Sequence, residues 1–233
     1  MTWIFLGLAA LFIAGFLIST VRKQRPPESR TQTESIIETS LGVSEFANAN
    51  DGGVTFFNVY PPDSPADKAG LVGGDILTAC DGHAARNIDD LVSVLRQTPA
   101  GKEIELTYVR DGETRKASLT TISRDQFELL AESFERRSTG YGSLGFEVTE
   151  TKMVPVKGKN ISGVKLGVLS ASGPAALAGI QTGDVVIEFD GVPIRNRGEF
   201  LMRVRRAIPY STVKVVVVRG TQQLEIPVKM GKR

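Results

Sequence analysis

Reactive side chains are scarce in this 233-residue chain, and that scarcity narrows the chemistry open to it. There is one histidine, His83, and one cysteine, Cys80. A zinc-protease HExxH helix needs two histidines, so that motif and His-rich metal sites are excluded, and a Ser-His-Asp triad could be built only around His83. Cys80 has no second thiol with which to close an internal disulfide. Two stretches carry residue types suited to catalysis. Asp81-Gly82-His83 offers an acid beside a base, and Ser170-Ala171-Ser172-Gly173 has a serine among small residues. No phosphate-cradling glycine loop or cluster of metal ligands is present in the sequence, so no cofactor and no metal are expected. The 28 Lys and Arg against 26 Asp and Glu leave +2, too small and too evenly spread for a nucleic-acid surface.

The elements that would have to position these residues come from an internal repeat. Val59 to Asn87 lies on Val168 to Asn196 without a gap at a shift of 109, with eleven identities in 29 positions; average composition gives roughly two. In each copy a β-type run (Gly53 to Tyr60; Val164 to Leu169) meets Ser64-Pro65 or Gly173-Pro174, where proline suits the first turn of a short helix closing at Gly70 or Gly179. Apolar strands Ile76 to Cys80 and Val185 to Phe189 follow and end at the Asp-Gly turns 81-82 and 190-191. Asn87 and Asn196 are placed to cap a second helix. In the first copy that helix shows the amphipathic stripe Ile88, Leu91, Val92, Leu95. Strand pairs then close each unit, Glu103 to Arg110 with Thr114 to Thr120 and Val213 to Arg219 with Gln223 to Lys229. In this frame Asp81-Gly82-His83 is a strand-end turn whose counterpart is Asp190-Gly191-Val192, and Ser170 to Gly173 is a helix-entry turn. Neither is catalytic, His83 is expected in solvent, and Cys80, aligned with Phe189, is expected in a core. Asp75 and Asp184 read as turn carboxylates bonding nearby backbone N–H groups.

Outside the repeats, Met1 to Val21 has no charged side chain, and Trp3 to Val21 gives 19 residues. At about 1.5 Å per residue that spans roughly 28 Å, enough for the hydrocarbon core of a bilayer. Residues 1–21 are therefore expected to form an uncleaved single-pass anchor in a cell membrane. Arg22, Lys23, Arg25 and Arg30 follow it with no side-chain charge before it, which by the positive-inside rule favours the cytoplasm for the C-terminal bulk. Residues 22–40 combine charge, a Pro pair and Ser/Thr/Gln and read as a tether. Between the repeats, Arg124 to Arg137 is an amphipathic helix with Phe127, Leu130 and Phe134 on one side, expected to pack on a repeat and fix the angle between the two. The segment Thr151 to Gly163 is an excursion of the second copy and is expected to be a solvated loop. Arg203, Arg205 and Arg206 make the second copy mildly basic, and solvation accounts for them.

The ordered series Leu41-Gly42-Val43, Ser64-Pro65-Ala66, Ala69-Gly70, Gly74-Asp75-Ile76 and Asp81-Gly82 resembles a bacterial PDZ domain of the HtrA type. The second copy, with Gly142-Ser143-Leu144-Gly145-Phe146, Gly173-Pro174-Ala175, Ala178-Gly179, Gly183-Asp184-Val185 and Asp190-Gly191, is closer still. The resemblance implies an α+β chain: anchor 1–21, tether 22–40, PDZ domain 41–122, connecting helix 123–142 and PDZ domain 143–231. Each PDZ domain would be a small, partly open barrel of five or six strands with two helices. It further implies capture of protein C-termini or extended peptides by β-augmentation, with backbone N–H groups holding the terminal carboxylate. Leu41, Gly42 and Val43 in the first copy and Ser143, Leu144, Gly145 and Phe146 in the second would form the carboxylate loops. Ser44 to Ala47 and Glu147 to Glu150 would be the accepting edges. Ile88, Val92 and Leu95 would face the first groove, and Arg197, Leu201 and Val204 the second. An apolar peptide residue is then expected to suit the first groove and an acidic or polar one the second. The first loop departs from the pattern, since Glu38-Thr39-Ser40 supplies no glycine to match Gly142. The protease domain of HtrA-type proteins is not part of the resemblance, so a membrane-tethered, non-catalytic adaptor is expected. The alternatives are a regulatory or substrate-presenting subunit of a membrane protease carried by another chain, and a structural component with degenerate grooves. Anchored bacterial PDZ proteins that this chain resembles face the periplasm or the outside, which stands against the flank charges.

Overall fold

The computed structural model describes residues 38–137 and 139–233. The anchor expected over 1–21 and all but the end of the tether lie outside the described residues. Among the described residues no helix is long and apolar enough to cross a membrane.

The chain builds the same unit twice. In the first, β1 (Thr39–Ser40), β2 (Val43–Asn48) and β3 (Val54–Val59) lead into helix α1 (Pro65–Lys68), then β4 (Ile76–Cys80), β5 (His83–Ala84), helix α2 (Ile88–Arg96), β6 (Glu103–Arg110), β7 (Glu113–Thr120) and β8 (Ile122–Ser123). Helix α3 (Arg124–Glu135) joins it to the second: β9 (Gly142–Ser143), β10 (Phe146–Val156), β11 (Lys159–Leu169), α4 (Pro174–Leu177), β12 (Val185–Phe189), β13 (Val192–Pro193), α5 (Arg197–Arg206), β14 (Thr212–Arg219), β15 (Gln222–Lys229) and β16 (Gly231–Lys232). The sheets run β2-β3-β4-β6-β7 with β5 on β4, and β10-β11-β12-β14-β15 with β13 on β12. Small antiparallel pairs, β1 with β8 and β9 with β16, close each unit where the chain enters and leaves. Thr39 and Ser40, assigned by sequence to the tether, are thus the first strand among the described residues.

Local chemistry explains the punctuation. Pro65 and Pro174 open the short helices, where a missing N–H costs nothing. Asn87 and Asn196 accept from the amides of Asp90 and Glu199, which fixes the starts of α2 and α5. Ser123 and Gln126 form a reciprocal capping box at the start of α3. Alternation along β6 sends Ile104, Leu106 and Tyr108 into a core shared with Leu41, Phe56, Leu77 and Leu91. The second core gathers Leu144, Leu166, Phe189, Ile194, Phe200, Val215 and Met230. Cys80 is buried in the first core, and burial pushes its thiol up to about 11, so it is an inert apolar residue there. His83 is exposed at the start of β5, just after the Asp81-Gly82 turn. Asp75 and Asp184 accept from the amides of Val72 and Gln181 across their turns and also hold Arg110 and Arg219.

Three sequence expectations need correction. Thr151 to Gly163 is not a loop. It is the distal part of the β10–β11 hairpin, closed by Lys157 at φ 49° and Gly158 at φ 80°, both left-handed as a two-residue turn demands. Val154 and Ile161 from this extension pack with Val185, Ile187, Val216 and Val218 on the sheet face opposite the main core, so alternation that looked solvated serves a second, smaller core. The ungapped repeat alignment also slips at its start. Val43 pairs with Val59 and Phe146 with Leu169, while Tyr60 N donates to Gly42 O and Ser170 N to Gly145 O. Val59 therefore corresponds to Leu169, and the first copy has one extra residue between Tyr60 and Ser64. Finally, Arg203 is not a solvated cation: it is 7% exposed and engaged between the two units.

The units meet along α5. Glu199, fully buried, accepts Arg203 Nε at 2.5 Å on one oxygen, and the amides of Val59 (3.0 Å) and Gly73 (2.8 Å) of the first unit on the other. Asp67 takes Arg203 at 3.1 Å and Arg206 at 2.8 Å. A bidentate Arg195–Asp111 pair at 2.6 and 2.7 Å and a Lys159–Glu113 pair extend the seam. Val59 N is free to donate because β3 pairs with β4 only at Val54 and Thr55, leaving the end of β3 open on that side. Helix α3 closes the opposite flank: Phe127 and Phe134 meet the Tyr60 ring edge-on at 6.1 Å, and Glu135 accepts from Tyr60 Oη and Arg205. Burial and the Glu135 charge push the Tyr60 hydroxyl up to about 12. The connecting helix thus bridges both units, with Leu129 on its outer side 67% exposed.

Candidate functional site

Each unit has an edge strand, a loop preceding it and a helix beside it, the three parts a strand-adding peptide site requires. In the second unit the edge is β10 and the helix α5. The loop between β9 and β10 is fixed through its carbonyls: Leu144 O accepts from Ala175 N at 3.0 Å, and Gly145 O from Ser170 N at 2.9 Å. Among the described residues the Leu144 and Gly145 amides have no acceptor. Carbonyls turned into the body with successive N–H groups left over is the arrangement that binds an anion. Gly145 reaches it at φ 70°, and a Cβ there would stand 3.0 Å from Gly173 Cα. Leu144 anchors the loop by its buried side chain, while Ser143, Gly145 and Phe146 are half-buried and border solvent. The Phe146 ring stacks on Phe200 of α5 at 5.1 Å, which ties strand to helix at the base of the cleft.

On α5 Arg197 is exposed at the start of an otherwise buried first turn, Leu201 is 39% exposed and Val204 7%. Phe200 points into the core. The helix therefore has three faces: one in its own core, one on the first unit through Glu199 and Arg203, and one along the cleft.

The first unit assembles the same parts with different details. Leu41 O accepts from Ala66 N at 2.8 Å, and Gly42 O from Tyr60 N and Ser64 Oγ. Here the Gly42 amide is already used, donating to Ser40 Oγ at 3.1 Å. Gly42 sits at φ 82°, and Val43 begins the edge strand β2. On α2, Ile88 is half-buried, and Val92 and Leu95 are each 3% exposed. At the helix positions named from the sequence, Ile88, Val92 and Leu95 of the first unit are less exposed than Arg197, Leu201 and Val204 of the second. What sequence reasoning missed is the second face of α5. Its signal was available in the differences between copies, since Gly198, Glu199 and Arg203 stand where the first copy has Asp89, Asp90 and Val94.

Comparison with known proteins follows the same division. The family model described as PDZ domain matches residues 39–121 and again 142–230. Among curated proteins, the chain is similar to a probable periplasmic serine protease do/HhoA-like of Haemophilus influenzae, 28% identical over 165 residues, covering 71% of this chain and 33% of that protein. It is also similar to the periplasmic pH-dependent serine endoprotease DegQ of Escherichia coli, 25% identical over 191 residues, covering 80% of this chain and 39% of that one. The chain therefore spans about a third of the length of these relatives. Among solved structures, it is similar to the HtrA-type protease AlgW with a decapeptide (TM-score 0.38, 18% identity, 68% of this chain and 55% of that chain). The HtrA3 PDZ domain bound to the phage-derived ligand FGRWV is another (TM-score 0.30, 26% identity, 39% of this chain and 88% of that chain). With both repeats matched by one family model over most of its length, the chain belongs to the PDZ domain family, as a tandem pair of the HtrA/DegP type.

Proposed function

We propose that this chain is a membrane-tethered adaptor that binds C-terminal or extended segments of partner proteins by adding them as a strand to a PDZ edge, without catalysing a reaction. The observation that carries the reading is the pair of amides at Leu144 and Gly145 that have no acceptor among the described residues, beside β10 at the edge of its sheet and helix α5. Backbone donors of that kind hold a carboxylate, and a strand edge recognises main chain whatever its sequence, leaving the side chains of α5 to select. Arg197, exposed at the start of α5, favours an acidic or polar peptide residue, and Leu201 an apolar neighbour. The carboxylate-loop residues Ser143, Leu144, Gly145 and Phe146 and the groove residues Arg197, Leu201 and Val204 are the proposed contacts in the second unit, and Leu41, Gly42, Val43, Ile88, Val92 and Leu95 are their counterparts in the first.

Tethering rests on residues 3–21, whose length and apolar character suit a single span. The curated relatives are periplasmic by name, which supports an extracytoplasmic position for the pair and outweighs the flank charges as a guide. A reporter active on only one side of the membrane, fused after Arg233, tests this: activity on the extracytoplasmic side is expected, and cytoplasmic activity overturns it. Peptide capture itself is tested on an array of random C-termini. Selective retention of sequences acidic near the terminus is expected, and uniform absence of binding refutes the reading. Because the relatives are proteases, a second reading is presentation of peptides to a protease in another chain, and recovery of a protease with the full-length protein selects it over a free-standing adaptor.

A further inference from the structure

The two grooves are not equivalent, and four observations separate them. The accepting strand of the first unit holds one register with β3 from Val43 to Asn48, but Glu45 in its middle lies at φ 52°. A side-chain-bearing residue in the left-handed region turns its own N–H and C=O out of the line a partner strand needs. In β10 no described residue between Gly145 and Lys157 has a positive φ, although its pairing with β11 shifts register between Phe146 and Val148 and between Val148 and Glu150. Second, the Asn48 side chain at the end of β2 accepts from Ile88 N at 2.8 Å, stitching the strand to the start of α2 across the cleft. Third, the central helix position is closed in one copy and open in the other: Val92 is 3% exposed and its counterpart Leu201 39%. Phe46 from β2 packs against the first core beside Ile88, supplying apolar contact from the strand side. Fourth, Ser40 Oγ occupies the Gly42 amide, whereas the corresponding Gly145 amide has no acceptor among the described residues.

We infer that the chain has one peptide site, the groove of the second unit, and that the first unit has closed its own groove. The inference rests on the peptide-binding reading above and adds which groove performs it. Closing groove 1 leaves the first unit to its other contact, the Val59 and Gly73 amides and Asp67 that grip the back of α5, the helix whose front lines groove 2. A partner is therefore held at one point per chain, and avidity requires a second copy of the chain.

The test is calorimetric titration of the full-length protein in detergent micelles with the free-acid hexapeptide Gly-Trp-Ser-Glu-Ala-Val, followed by amide chemical-shift mapping at saturation. One site per chain is expected, with shifts at Gly145 to Glu150 and none at Ser44 to Ala47. Leu201→Arg changes a residue that is already largely solvent-facing and lies outside the core clusters; it is expected to weaken binding by at least about tenfold. Two sites per chain, or binding that survives Leu201→Arg with shifts at Ser44 to Ala47, overturns this inference while leaving peptide binding intact. Absence of any heat and any shift with the wild-type chain removes the peptide-binding reading and this inference with it.

Discussion

Gly145 and Asp67 show how much of the behaviour of this chain sits in single residues. Gly145 adopts φ 70° with a neighbouring Cα 3.0 Å from where its Cβ would be. Gly145→Ala is therefore expected to destabilise the second domain by about 1–2 kcal/mol in urea denaturation, the cost of a left-handed side-chain-bearing residue. An unchanged denaturation midpoint would show that the loop is not held in this conformation. Asp67 has a different sensitivity. Burial pushes its carboxyl up, but hydrogen bonds from Arg206 and the Asp63 amide, with the charges of Arg206 and Arg203, outweigh that and hold it below the ordinary 3.8. A carboxyl depressed in the folded state stabilises above its unfolded value and loses that contribution as pH falls through the native one. Acid should therefore loosen the seam between the domains below about pH 4, and Asp67→Asn should flatten that part of the stability profile between pH 5 and pH 2. A wild-type profile already flat there contradicts the assignment.

Elements were legible where the sequence repeats itself and opaque where the copies differ. The caps at Asn87 and Asn196, the proline-started helices and the Asp-Gly turns follow from local chemistry, and local chemistry is the same in both copies. The hairpin extension had no counterpart to be read against. Its alternating Val154, Val156 and Ile161 pack with Val185, Ile187, Val216 and Val218, residues between about 24 and 64 positions away in sequence. Ile161→Ala should cost about 2 kcal/mol, the lower end for a buried isoleucine because the cluster is small and near the surface, read by thermal denaturation. No loss of stability would return the extension to the status of a loop. The candidate carboxylate loops came from the resemblance to a PDZ domain, whereas the closure of groove 1 had no signal in the sequence. Glu45 at positive φ and the Asn48–Ile88 bond are tertiary outcomes that nothing in the Ser44 to Asn48 run announces.

At the scale of the whole molecule, the two domains act as one body because α5 belongs to both. Glu199→Ala would strand the Val59 and Gly73 amides and leave Arg203 with one partner fewer, and removing one member of a buried ionic cluster costs roughly 3–5 kcal/mol. Calorimetry should then show two unfolding transitions in place of one, whereas a single transition retained in the variant would mean that the seam contributes little. Since the same helix borders the proposed peptide groove, the one-site inference makes the geometry of peptide capture depend on a domain outside that groove. The most direct test of the central claim, that unpaired backbone amides at Leu144 and Gly145 receive a terminal carboxylate, is to titrate the chain with one peptide in two forms, free acid and C-terminal amide. Losing a charge-assisted hydrogen-bonded anion should weaken the amide form by about 10- to 100-fold. Equal affinity for the two forms would contradict the account.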